Sequence, residues 1–260
     1  QAKTLFPYTT LVRSRGGAGQ PSLAPRDGRL SLTPATSKAR LRLARQELSR
    51  GIILDAAERV FGEHGFVAAK MQDVAALAKV STSTVYELFE GKDALFEAVH
   101  TRRGAEVLAV VSMPSALPEL LDRLLGGVAA YAGYLMDHPE YLRMLSHVNV
   151  WAEEASLASQ GQVDASRAGA ALVTRGFEKG IEVGVFAPDD ARLMTRLMHA
   201  THQVRLLAWL ADGMRVAPAE VIRRMQRELV CMFCQPEQIA ELLRERGLLE
   251  RAEDPSVVAE

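Results

Sequence analysis

The chain is poor in cysteine, in aromatic residues and in long apolar runs, and each shortage narrows what it can be. Two cysteines among 260 residues cannot build a disulfide framework and fit a reducing cytoplasm. Aromatic residues make up 6% of the sequence, within an apolar content of 48% that is ordinary for a soluble protein. The strongest apolar run, residues 128–136, is short and holds Tyr131 and Tyr134, so no membrane span is expected. Alternating strand patterns and internal repeats are missing, as are a nucleophile–base arrangement and a phosphate-binding loop. That points to an all-α protein that is not an enzyme. Net charge is almost absent at −1, yet charge is unevenly spread: 16 Lys and Arg stand against 10 Asp and Glu in residues 1–103, and 15 against 22 in residues 104–260. A basic N-terminal part with an acidic remainder suits a protein that touches phosphates with one end only.

What is present is concentrated in residues 65–92, GFVAAKMQDVAALAKVSTSTVYELFEGK. Two short apolar-patterned segments, residues 71–78 and 82–89, are joined by Lys79-Val80-Ser81. Val74, Ala75 and Ala78 make a buried-type face on the first, and Val85 and Phe89 stand at i, i+4 on the second. Two short helices on a three-residue turn form a helix-turn-helix, whose second helix is of a size to enter the DNA major groove. Small hydroxyl residues, Thr82, Ser83 and Thr84, open that second helix, where they permit close approach to the groove and to phosphates. Ser81 is placed as its N-cap, and Glu87 has the chemistry to accept from a cytosine amino group.

The residues Ile53-Leu54-Asp55-Ala56-Ala57, Phe61, Gly65-Phe66, Asp73-Val74-Ala75, Val80-Ser81, Thr84-Val85-Tyr86, Phe89 and Lys92-Asp93-Ala94-Leu95 follow one another in a spacing that resembles the tetracycline-repressor (TetR) family of bacterial transcription regulators. The resemblance implies an all-α fold: an N-terminal three-helix DNA-binding domain and a C-terminal helical domain for effector binding and dimerisation. It implies a ligand-responsive regulator, a repressor, that binds a palindromic double-stranded DNA operator as a homodimer. It implies no cofactor and no metal, a small-molecule effector, and a cytoplasmic protein that joins the nucleoid when bound to DNA. Tyr86 and Lys92 become phosphate contacts by resemblance, and Lys70, Gln72, Thr82, Ser83, Thr84 and Glu87 complete the DNA-facing set.

The sequence also departs from the family. Ala69-Lys70 replaces the hydroxyl pair that opens the helix before the turn, which removes a cap worth about 1 kcal/mol while the Lys70 charge offers a phosphate contact. Lys79 replaces the usual turn glycine, so a left-handed residue carries a side chain. Leu88 stands where a His or Tyr is usual, leaving one DNA contact missing or apolar.

The rest of the chain is punctuated as helices. Ile53, Ala56, Ala57, Val60 and Phe61 form the core stripe of a helix at about 49–64, ended by a left-handed Gly65. Further helices are expected at 92–111, 118–136, 139–152, 162–182, 189–212, 217–234 and 236–247, separated by Pro114, Pro118, Pro139, Gly184 with Pro188-Asp189-Asp190, Gly213 with Pro218, and Pro236. The expected organisation is a tail over 1–37, a DNA-binding domain over 38–100 and an effector and dimerisation domain over 101–250. Residues 4–14 resemble the translation of a DNA-sequencing adapter, so residues 1–14 are expected to stand outside the native fold. Lys38, Arg40, Arg42, Arg45 and Arg50 read equally as an arm along the phosphates and as a solvated helix extension.

In the C-terminal part, Tyr131, Tyr134, Tyr141, Met144, His147 and Trp151 have the mixed chemistry of an effector pocket, although ordinary core fits most of them too. The dimer interface is expected on helices 162–182 and 189–212, with small residues Ala165, Ala168, Gly169 and Ala171 and the apolar Leu172, Leu193, Leu197, Leu206 and Trp209. Leu193, Leu197 and Trp209 are expected to share one helix face. Cys231 and Cys234, a CxxC with no second ligand pair, read as small core residues, and His199 and His202 as core or interface packing. Two other function classes fit parts of the sequence. One is a helical small-molecule-binding protein with a non-functional DNA-binding head, and the other is a thiol enzyme using the CxxC.

Overall fold

In the computed structural model the described residues are 34–112, 119–146 and 160–249, with residues 34–37 and 160–166 described by backbone alone. The chain divides into two compact units, Gln1–Leu43 and Ala44–Glu260. Of the first, the described part is helical, and its Lys38, Arg40 and Arg42 side chains are exposed.

Ten helices occur among the described residues: α1 (Pro34–Ala68), α2 (Met71–Ala78), α3 (Thr82–Leu88), α4 (Lys92–Val111), α5 (Leu120–Asp137), α6 (Pro139–Ser146), α7 (Gln160–Glu182), α8 (Ala191–Ala211), α9 (Pro218–Phe233) and α10 (Ile239–Glu245). The fold class is the all-α one read from the pattern. Extended pairing among these residues is confined to a single bridge, Phe186 with Cys234. Local signals set the ends. Asp190 caps α8 by accepting from the N–H groups of Arg192 (2.8 Å) and Leu193 (3.3 Å), and Pro218 opens α9. Gly65 breaks α1 with φ 72° and ψ 168°. The positive φ was expected, but this ψ lies outside the left-handed helical well, in a region essentially confined to glycine.

The core begins where the α1 stripe meets α4. Ile53, Ala57, Val60 and Phe61 are buried against Leu95, Phe96 and Val99. Phe96 stands edge-on to both Phe61 and Phe66, with ring centroids 5.0 Å apart in each case. From there α4 continues into the second half, where it packs on α5 and α7, and α9 packs on α5 and α8. Gly180 on α7 has a structural reason: a Cβ there would sit 2.1 Å from the Phe186 ring, which closes over the helix backbone.

A buried ionic cluster ties α1, α4 and α5 together. Glu58 on α1 is only 4% exposed. It accepts from Arg103 Nε at 2.7 Å, from the Arg103 second terminal nitrogen at 3.1 Å and from Arg102 at 3.2 Å. Arg102 also pairs with Asp55 at 2.8 Å. Arg103 reaches Glu106 at 2.7 Å and the Tyr134 hydroxyl of α5 at 3.3 Å, and that hydroxyl donates to Glu106. Burial opposes the Arg103 charge, but its hydrogen bonds to Glu58 and Tyr134 and the Glu58 carboxylate outweigh it and hold the guanidinium protonated.

Candidate nucleic-acid interface

The α2–turn–α3 unit is built by short-range chemistry. Without a hydroxyl at its start, α2 begins at Lys70 with no side-chain cap. It ends at Lys79, whose φ 57° and ψ 40° are left-handed, as the missing glycine implied. The Lys79 N–H donates to Ala76 O at 3.2 Å and the Val80 N–H to Ala75 O at 3.0 Å, the paired bonds of a Schellman stop. Ser81 then caps α3: its Oγ accepts from the Thr84 N–H at 3.1 Å and lies 2.7 Å from Thr84 Oγ1 and 2.8 Å from Ser83 Oγ.

Val85 and Phe89 anchor α3 in the core, which turns its other side outward. Ser83, Tyr86 and Glu87 are exposed, and Thr82 and Thr84 are half-buried. Lys70 and Gln72 are exposed at the start of α2. Leu88 is packed against the core, so its apolar character serves folding. Lys92 is less free than a surface lysine. Its ammonium donates to Val67 O at 3.1 Å and Ala69 O at 3.2 Å and stands 4.7 Å from the Phe66 ring centroid. Two of its three N–H groups are thus committed to the chain break between α1 and α2.

The residues expected to form a pocket are only partly brought together. Tyr131 is half-buried with its ring centroid 6.4 Å from that of His202. Tyr134 is committed to Glu106 and Arg103, and Met144 is fully buried core. His147 and Trp151 lie outside the described residues. The expected shared face of Leu193, Leu197 and Trp209 needs correction. Leu193 and Leu197 are 45% and 42% exposed, but Trp209 is turned into the core and donates from Nε1 to Val216 O at 2.8 Å. At about 100° per residue, Trp209 lies roughly 160° around the helix from Leu193. Leu206 is likewise core, and Leu172 is half-buried on α7.

The cysteines also differ from expectation. Cys231 is exposed rather than core, because α9 turns that position outward, whereas Cys234 is buried at the helix end. Burial pushes the Cys234 thiol up to about 11, the opposite of what a nucleophile needs. His202 is buried, and burial followed by the neighbouring His199 lowers its pKa to about 4, so it is a neutral core imidazole at neutral pH. Sequence reasoning missed the Glu58–Arg102–Arg103 cluster. Its partners lie far apart along the chain, and the adjacent arginines resemble any solvated pair on a helix.

Residues 53–99 match the sequence model for bacterial regulatory proteins of the tetR family. The chain is similar to the HTH-type transcriptional repressor NicS of Pseudomonas putida, at 28% identity over 169 residues that cover 64% of this chain and 79% of that repressor. Its fold is similar to that of a bacterial regulatory protein in the tetR family from Rhodococcus RHA1, with a TM-score of 0.60 and 23% identity over 72% of this chain and 98% of that one. It is also similar to the fatty acid degradation regulator FadR from Bacillus halodurans, with a TM-score of 0.60 and 18% identity over 69% of this chain and 96% of that one. The matched segment contains the whole of the capped helix-turn-helix, and residues 53–99 form a DNA-binding domain of the tetR-family type.

Proposed function

We propose that the chain is a repressor that binds a two-half-site DNA operator as a homodimer and is released by a small-molecule effector. The observation that carries this reading is the outward face of α3. It is capped by Ser81, anchored by Val85 and Phe89, and presents Ser83, Tyr86 and Glu87 to solvent. In the groove, Thr82, Ser83 and Thr84 lie against the backbone and base edges, Glu87 accepts from a cytosine amino group and Tyr86 donates to a phosphate. Lys70 and Gln72 meet the flanking backbone, and Lys92 offers its remaining N–H to a phosphate. NicS, named a transcriptional repressor, supports repression over activation.

The dimer uses one face of α8. Leu193, Leu197, Ala200, Val204, Ala208 and Ala211 fall within about 80° of one another around the helix, and Leu193, Leu197 and Val204 are 45%, 42% and 70% exposed. On α9, Met232 flanks this stripe, with its sulfur 3.8 Å from the Thr201 hydroxyl. A second copy burying the stripe about a two-fold axis would set the two α3 helices about 34–36 Å apart, the spacing of successive major grooves. The effector binds among α5, α6 and α8, near Tyr131, and releases DNA through its differential affinity for the two dimer states. Such a regulator works in the cytoplasm, where the chromosome is.

The test is selection of duplexes from a random-sequence pool by the purified protein, followed by anisotropy titration of the recovered sequence. A preferred site with two inverted half-sites is expected, bound as a dimer. Recovery of sequences no tighter than random duplex would overturn the reading.

A further inference from the structure

The C-terminal end of α3 is where a two-turn helix is weakest. Seven residues are too few for independent helical stability, and the last carbonyls of any helix have no intrahelical partner. Phe89 leaves the helix in an extended conformation, φ −141° and ψ 126°. From α1, thirty-eight residues earlier in sequence, Arg50 closes this end. Its terminal nitrogen donates to the Leu88 carbonyl oxygen at 3.3 Å, and its guanidinium carbon stands 4.4 Å from the Phe89 ring centroid. Ser81 holds the N-terminal end of the same helix. The reading face is therefore fixed at both ends, by a hydroxyl at one and a guanidinium at the other.

We infer that Arg50 is a positioning residue for sequence recognition, which locks the recognition helix from behind and makes no phosphate contact of its own. The inference rests on the proposed DNA-binding role of α3. A cation at a helix C-terminus is favoured by the partial negative charge of the free carbonyls, and a guanidinium over an aromatic face adds a second, directional attraction. Arginine can do both at once because its planar fork donates in the plane while its face lies on the ring, and a lysine cannot. Sequence composition had placed Arg50 in a basic stretch equally suited to lie along phosphates. Its geometry sets it apart from Arg45, whose side chain is exposed. Holding the helix in one orientation matters more for telling one sequence from another than for binding DNA at all. Base-edge contacts depend on the aim of a few short side chains, whereas phosphate attraction tolerates misalignment.

Two variants, Arg50→Met and Arg50→Lys, test this with anisotropy titrations across a salt series. The probes are the tightest duplex recovered from a random pool and a scrambled duplex of the same length. Both variants are expected to lose about tenfold in the ratio of selected to scrambled affinity, the discrimination carried by one good base contact. The scrambled-duplex affinity and its salt slope should stay at the wild-type values. A parallel loss on both duplexes, with a salt slope reduced by about 0.9 in Arg50→Met, makes Arg50 a phosphate contact and overturns the inference, as does a full discrimination ratio in Arg50→Lys. Hydrogen exchange on the DNA-free protein provides an arm that does not need DNA binding. The amides of Val85 and Phe89 should exchange faster in both variants while those of α4 keep their protection. Unchanged exchange there overturns the positioning role even if the wild-type protein proves to bind no DNA. Faster exchange together with a wild type that selects no sequence sustains the positioning and removes only the DNA-reading role.

Discussion

Residues 53–99 and the helices from α5 onward are packed by different means. The first region stops and starts its helices with specific devices: a glycine at φ 72°, a Schellman turn and a serine cap. Its core is mainly aliphatic and aromatic, with Met71 as the one buried methionine of residues 53–99, and centres on the contacts of Phe61, Phe66 and Phe96. The second region buries Met136, Met144, Met194, Met198 and Met225 together with polar Thr195 and His202. Methionine adapts to irregular gaps and tolerates repacking, whereas interlocked aromatic rings in fixed rotamers do not. A reading head must hold its side chains in one aim. The proposed exchange between two dimer states is favoured by a core that can be rearranged at low cost. The Glu58–Arg103–Tyr134 cluster joins the two regimes by hydrogen bonds that run from α1 through α4 to α5.

The comparison breaks most completely if function in the first region depends on a surface in the second. Leu197→Glu should do this. Leu197 is 42% exposed in the single chain, so the carboxylate costs little there. Across a two-fold axis it would be buried and unpaired. Analytical ultracentrifugation should show monomers, or the protein should be insoluble. Affinity for a two-half-site duplex should fall by about 10²–10⁴-fold, the gain that simultaneous engagement supplies. A single half-site should be bound by soluble monomer as by wild type. A soluble dimer with unchanged operator affinity would place the interface elsewhere.

Next in size is the contrast between rigid and adaptable cores. Phe96→Ala removes a ring that touches Phe61, Phe66 and His100. Its cost in urea denaturation should be about 3–5 kcal/mol. Met198→Leu, at an equally buried position of α8, should cost less than about 1.5 kcal/mol because the neighbouring methionines can adjust. Equal losses would remove the proposed difference between the cores.

Most of the first region was legible from sequence, because what fixes it is local. Gly65, Lys79 and Ser81 announce their roles by identity and neighbours, and the structure gives each the backbone conformation or hydrogen bond expected of it, apart from ψ at Gly65. The second region was legible as helices but not as faces. The spacing of Leu193, Leu197 and Trp209 suggests one shared face with modest drift, yet sixteen residues of helical rotation put Trp209 on the opposite side, in the core. Arg50 was legible only as part of a basic stretch, and Glu58 and Arg103 not at all, because their partners are brought close only by tertiary packing.

Acid separates the regions at intermediate cost. His100 and His202 are buried, and burial lowers each pKa from 6.5 to about 4, with His199 adding to the effect at His202. Unfolded, each takes up a proton near 6.5, but folded it resists until about 4. Both therefore contribute full stability above pH 6.5, and that contribution declines as pH falls from 6.5 toward 4. The loss is on the order of 3 kcal/mol for each residue at the lower limit. His202→Phe and His100→Phe should each flatten the fall in urea stability between pH 7 and pH 4.5. Hydrogen exchange at pH 5 should rise in α8 and in the upper part of α4 before it rises in α1–α3. An acid response that is the same in wild type and both variants would show that other groups carry it.

The smallest effect gives the sharpest comparison, because the same backbone strain occurs once in each region. Lys79 at φ 57° and Met214 at φ 60° are the non-glycine residues with positive φ among those described. A side chain in the left-handed region costs about 1–2 kcal/mol, and glycine relieves this while adding about 0.5–1 kcal/mol of unfolded-state freedom. Lys79→Gly and Met214→Gly should therefore each stabilise the protein by about 0.5–1 kcal/mol, read as a higher urea midpoint at unchanged slope. Only Lys79→Gly should alter DNA binding. Its exposed cation stands in the turn that leads into α3, and in the proposed complex it would lie near the phosphates, so affinity should drop at low salt and converge with wild type as salt rises. Met214, at the turn between α8 and α9, has no such neighbour. Equal stabilisation with unequal effect on DNA would separate what the turn does for the fold from what its charge does for binding. If Lys79→Gly gains no stability, the left-handed turn is relaxed with its lysine in place, and replacing the usual glycine cost the head nothing.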